Sequence, residues 1–183
     1  MNLLKYKLNK ISHYLSSNSR HGTHSPFVYK LVDEVIYGKP LTADRVLWDR
    51  FLKKESDIER KKKLLLTRLL QNFPYGNFEI ISNHKQSLLE EMFSFYKNNW
   101  SDRNVFYVED IEQLDSVFQK SADKDLVIVN ELYHDEDAQM KWKSVQQNHS
   151  VVVSIDLFHY GLVFFRKEQR KENTHKYKNL SSA

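Results

Sequence analysis

Between Phe78 and Glu168 short apolar runs alternate with amphipathic stretches, and this alternation constrains the chain more than any other feature. "FEIIS", "NVFYVED" and "DLVIVNEL" have the length and β-branched content of strands. "KQSLLEEMFSFYKN", "IEQLDSVFQK" and "DEDAQMKWKSVQQN" place apolar residues at helical spacing. Strands and helices in turn imply an α/β layer built on a mainly parallel sheet. "SVVVSIDLF" and "LVFFRKE" are separated by only "HYG", so this last pair is an antiparallel hairpin, with Gly161 available for a positive φ. Leu162, Val163, Phe164 and Phe165 put apolar groups on both faces, which predicts that the closing strand lies inside the sheet.

The N-terminal part is helical in pattern. Leu4, Leu8, Ile11 and Leu15 recur at helical spacing between lysines. Such a stripe is read as core-facing, or as the apolar face of a membrane-surface helix over residues 1–17. In "RHGTHSPFVYKLVDEVIYG", Ser25 suits an N-cap, Pro26 a first helical position and Gly38 a C′ position. His21 and His24 precede that cap and either fix the chain entry or face a ligand. "DRVLWDRFLKKESDIERKKKLLLTRLLQNF" reads as one long or two short helices, and "PYGN" after it as a turn. Its charged run lacks the interleaved aromatics that would stack bases, so there is no strong nucleic-acid signal. The expected organisation is a helical extension over 1–73, an α/β domain over 74–169 and a basic, disordered tail over 170–183.

Composition narrows the chemistry. No cysteine is present, which excludes disulfides, thiol catalysis and cysteine–zinc sites and is compatible with a cytoplasmic location. No apolar run approaches the ~20 residues of a membrane helix. The net charge of +4 is mild but uneven, because no acid precedes Asp33. Four glycines are few for a chain that cradles a nucleotide.

In open α/β sheets ligands sit beyond the carboxyl ends of the strands. Those ends carry Ser82 and Asn83, then Glu109 and Asp110, then Asn130 and Glu131. Acids after a second strand suit a ribose, whose paired hydroxyls donate to a carboxylate. The turn "SNHKQS" lacks the glycines that let backbone approach a phosphate. "NELYHDEDAQMKW" is rich in oxygen ligands, but its spacing fits no strong ligand motif, and Asp135 reads as a cap followed by first-turn acids. No metal site is therefore expected. Asp156, within the apolar run "VVVSIDLF", is either a buried hydrogen-bonded carboxylate or a site residue.

"RHGTHSPFVYKLVDEVIY" and "SVVVSIDLFHYGLVFFRKEQRKE" resemble a bacterial group of class I S-adenosylmethionine-dependent methyltransferase-like proteins. In that group an H-G-x-H-S-P-F motif in a helical extension precedes a Rossmann-like domain that ends in a hairpin of the S-I-D-L-F-x-x-G-x-V-F-F-R-K type. "LLLTRLL" resembles the helix entering the group's first strand. "VIVNELYHDEDAQMKW" resembles its late strand and helix, where two aspartates usually stand at the positions of Asn130 and Glu131 and a tryptophan at that of His134. The resemblance implies a shortened Rossmann-like methyltransferase-type sheet. It implies S-adenosylmethionine as cofactor, with Ser82, Asn83, Glu109, Asp110, Asn130 and Glu131 as binding candidates and His21, His24 and Asp156 as weak catalytic candidates.

The chain departs from the group at defined places. "IISNHKQS" stands where the group has a glycine-containing L-G-T-S-x-G turn. Five strands are readable instead of seven, and the strand bearing an I-D-G-type motif is missing. The expectation is a degenerate relative with weak or lost cofactor binding. A non-catalytic interaction module, as a homodimer or the partner of an active relative, and a basic peripheral membrane or RNA binder are the other readings.

Overall fold

The computed structural model of the chain describes residues 3–16, 26–37, 52–53, 55–165 and 172–176. In chain order the helices and strands begin with α1 (Leu3–Ser16) and α2 (Pro26–Lys30), which runs on into a π-helical turn (Leu31–Ile36). Next come α3 (Asp57–Asn72), β1 (Asn77–Ile81), α4 (Ser87–Tyr96) and β2 (Asn104–Val108). A 3-10 turn (Ile111–Gln113) leads into α5 (Leu114–Lys120), followed by β3 (Leu126–Asn130) and α6 (Glu136–Gln147). The chain closes with β4 (Val153–Asp156), β5 (Tyr160–Phe164) and β6 (Glu172–Lys176). His21, His24, the Ser25 cap and Gly38 lie outside the described residues.

The alternation in the sequence becomes an α/β fold with a mixed sheet of order β1-β2-β3-β5-β4-β6. β1, β2 and β3 run parallel, whereas β5 is antiparallel to both β3 and β4. β5 therefore lies inside the sheet, as its two apolar faces require. Residues 172–176, expected within a disordered tail, instead add β6 parallel to β4. "ENTHK" has no apolar alternation to announce a strand; the backbone groups on the outer edge of β4 give it a partner.

Alternate residues of each inner strand feed two cores. Val105 and Tyr107, Leu126 and Ile128, and Leu162 and Phe164 face the core shared with α2, α3 and α4. Phe106 and Val108, Val127 and Val129, and Val163 face the core shared with α5 and α6. α2 and α3 belong to the helical extension expected over 1–73. They pack directly on the sheet: Val28, Leu31, Val32, Leu65, Leu66 and Leu69 share one buried cluster with Val105, Leu126 and Leu162. Ser56 caps α3 by accepting from the Glu59 amide at 3.3 Å.

Two expectations are corrected. Leu8 and Ile11 of α1 are each 56% exposed, so these two residues of the stripe do not cover the core. Gly161 has no positive φ; in the β4–β5 turn Phe158 takes the left-handed conformation, at φ 69°. Gly161 is required for a different reason. A Cβ there would stand 2.6 Å from the Trp142 ring, which packs on the bare backbone.

The crossovers do not share one hand. The chain moves in one direction across the sheet from β1 to β2, β2 to β3 and β3 to β4. α5 and α6 make their crossings on one face, but α4 makes its crossing on the other. Parallel crossovers in one direction over opposite faces have opposite hands. β1–α4–β2 thus has the opposite hand to its two successors, although parallel crossovers in one sheet ordinarily share a single, right hand.

Candidate functional site

The helices after β1 and β2 leave to opposite faces, the arrangement that in open α/β sheets forms a crevice between the carboxyl ends of the two strands. Ser82, Asn83 and Gln86 follow β1; Glu109 and Asp110 follow β2. The Glu109 and Asp110 amides both donate to the Ile81 carbonyl, at 2.9 and 3.3 Å, and this draws the two turns together. Glu109 Oε2 accepts from Ser82 Oγ at 2.7 Å and from Gln86 Nε2 at 2.8 Å, while Asn130 Nδ2 reaches Glu109 Oε1 at 3.4 Å. Asn83 Nδ2 donates to Asp110 Oδ2 at 3.2 Å. Asp110 also caps the 3-10 turn through the Glu112 amide at 3.2 Å. Ser82, Glu109 and Asn130 thus converge as expected, and Asn83 meets Asp110 beside them. Gln86 completes the cluster and was not anticipated, because its place depends on how the turn after β1 folds back.

Glu131 does not join that cluster. It sits at φ 53°, and its carboxylate turns toward α3. Lys62 Nζ lies 2.6 Å from Glu131 Oε1 and 3.1 Å from Glu59 Oε1, and His159 Nδ1 lies 3.5 Å from Glu131 Oε1. Burial works against the charge on Glu131, but the His159 ring and the Lys62 ammonium hold its carboxyl down to about 2. Burial likewise opposes the charge on Lys62, and Glu131 and Glu59 outweigh it, so the ammonium titrates above its usual range. Tyr107 and Tyr160 lie behind this group and share a hydrogen bond; burial pushes both phenols up. Lys62 and His159 were missed because Lys62 is one lysine in a charged run, selected only by the helix packing, and His159 stands at an unspecified position of the hairpin motif.

Asp156, at the carboxyl end of β4, is fully buried. Its Oδ1 accepts from the Phe158 amide at 2.9 Å and pairs with His13 Nε2 at 2.9 Å; its Oδ2 accepts from Tyr133 OH at 2.7 Å. His13 is 4% exposed and stands edge-on to both Tyr133 and Phe158, which stack on each other at 4.9 Å. Burial, followed by the Asp156 charge, pushes the Tyr133 phenol up. Beside this cluster is a cavity of about 220 Å³ whose lining includes Asn9, Ser12, Tyr133, Trp142 and Lys143. Asp156 is a buried, hydrogen-bonded carboxylate, paired with a histidine 143 positions away on α1, and it also lines this cavity. His13 carried no signal in the sequence beyond its place opposite the leucine stripe.

In the acidic stretch before α6, Asp135 Oδ1 accepts from the Ala138 amide at 2.8 Å, so this residue is the cap of α6. Among the described residues no group of three or more His, Asp or Glu side chains converges in a metal-binding arrangement. The sequence matches no model of a known protein family, no curated protein and no solved structure.

The donor set of the crevice does not fit S-adenosylmethionine. A ribose needs an acceptor for its two hydroxyls, and both oxygens of Glu109 already face donors of the chain itself. In the turn after β1, Asn83, His84 and Lys85 are exposed side chains where the cofactor would need bare backbone. Lys85 adds a positive charge that opposes a sulfonium.

Proposed function

We propose that the chain is a non-catalytic, cytoplasmic relative of the class I S-adenosylmethionine-dependent methyltransferase-like proteins, a shortened Rossmann-like domain that binds partners and transfers no methyl group. The observation that carries this reading is the bridged crevice, in which Ser82, Gln86 and Asn130 occupy Glu109. The topology supports the shortening. A doubly wound sheet has the order 3-2-1-4-5-6, with helices on opposite faces of its two halves. Removing strands 2 and 3 leaves strand 1 at the edge beside strand 4, its helix on the opposite face from those that follow. β1, α4 and β2 have that arrangement, which gives a reason for the odd hand of their crossover. The half removed is the one that would carry an acid for a ribose on the far side of β1.

Calorimetry with millimolar S-adenosylmethionine tests the proposal. The expected result is no saturable heat. A micromolar dissociation constant that Glu109→Ala abolishes would restore the enzyme reading.

A further inference from the structure

α1 is docked through its polar side. Asn9, Ser12 and His13 face the domain, line the cavity beside α6 and bring His13 onto Asp156. At 3.6 residues per turn Leu8 and Ile11 fall on the side away from the buried His13, and each is 56% exposed. The sequence assigns Leu4 and Leu15 to the same stripe. This inverts the usual rule, in which the apolar face of a surface helix covers the core. Lys7 is exposed beside Ile11, while Lys10 is half-buried farther round toward His13; the sequence adds Lys5, and no acid precedes Asp33.

We propose that α1 is an interfacial helix that lays its leucine stripe into an anionic lipid surface, with the α/β domain held behind its polar side. An apolar face bordered by lysines has the chemistry of such helices, and basic residues near an anionic headgroup layer add to the attraction. Charge also argues against a second copy on the same face. Two α1 helices packed stripe to stripe would bring their lysines together without a carboxylate from either one. Among the described residues no helix is long and apolar enough to cross a membrane, and a helix lying in the interface needs no such length.

The test is flotation of the full chain with phosphatidylcholine vesicles and with phosphatidylcholine–phosphatidylglycerol vesicles, alongside sedimentation without lipid. The chain is expected to float with the anionic vesicles only, and to be released by salt. Lys7→Gln lowers partitioning about fivefold. Leu8→Asp with Ile11→Asp abolishes it while circular dichroism and melting stay unchanged, because both side chains already face water. Failure to float with anionic vesicles would overturn the proposal. So would binding indifferent to the Leu8 and Ile11 changes, or self-association that those changes abolish. The outcome is independent of S-adenosylmethionine binding, so this proposal and the non-catalytic reading fail separately.

Discussion

Glu109 and Asp156 are both carboxylates that follow a strand, at opposite ends of one carboxyl edge, and they are held in different ways. Glu109 is half-buried and is bridged by neutral donors from neighbouring turns of the sheet. Asp156 is fully buried and is held by a turn amide, a phenol and a histidine that arrives from α1. The first arrangement can be rebuilt by water if one partner is lost; the second cannot. A carboxylate at a strand end therefore does not by itself identify a ligand site. What reaches it from elsewhere in the chain decides whether it binds, closes a crevice or anchors a helix.

The largest expected effect lies at the anchored end. Asp156→Ala leaves His13, Tyr133 and the Phe158 amide without their acceptor in a buried place, which should destabilise the fold by about 3–5 kcal/mol. For a chain of this size that lowers the melting temperature by roughly 10 °C, readable by calorimetry. Hydrogen exchange should also report faster opening of residues 3–16. An unchanged α1 would mean that the helix is held by something other than this carboxylate.

Gly161 is the next test, since it pairs with Asp156 and carries the Trp142 ring. Gly161→Val forces that ring and the Leu132 side chain away and should destabilise by about 2–3 kcal/mol, measured by urea denaturation. Glu131 lies between the two ends and gives a pH signature. Its carboxyl titrates at about 2 when folded, against an ordinary value of 4.5. Its stabilisation is thus fully present above pH 4.5 and is lost as the pH falls toward 2. Glu131→Gln should destabilise by roughly 2 kcal/mol at neutral pH, the partly exposed pair being screened by water, and the gap to the wild type should close through that acidic window. The smallest effect belongs to the bridged crevice. Glu109→Gln should change stability by no more than about 1 kcal/mol, since Ser82 and Gln86 can turn to solvent. A much larger loss would make the two ends of the edge alike.

Much of the fold was legible because period and length are local properties. Apolar runs such as "LVIVN" and "NVFYV" have few alternatives once helical patterns flank them, and Asp135 reads as a cap from its neighbours alone. The residues gathered at the crevice were legible too, because a strand end dictates where its next residues point. Lys62, His13 and Tyr133 were not, since each acquires its role from a partner far away in the chain. Gly161 was read as available for a positive φ; that conformation falls on Phe158, and a tryptophan on another element occupies the space where a side chain at Gly161 would stand.

The sequence by itself determined the alternation of strands and helices, the closing hairpin and the absence of thiol chemistry, all of which follow from residue type and short-range spacing. Only the tertiary structure decided the strand order, the opposite hand of β1–α4–β2, the addition of β6, and which side of α1 meets the domain. Those depend on pairings between distant segments. A helix with a leucine stripe and a histidine on opposite sides has two ways to dock, and the buried carboxylate of Asp156 selects the one that leaves Leu8 and Ile11 in water.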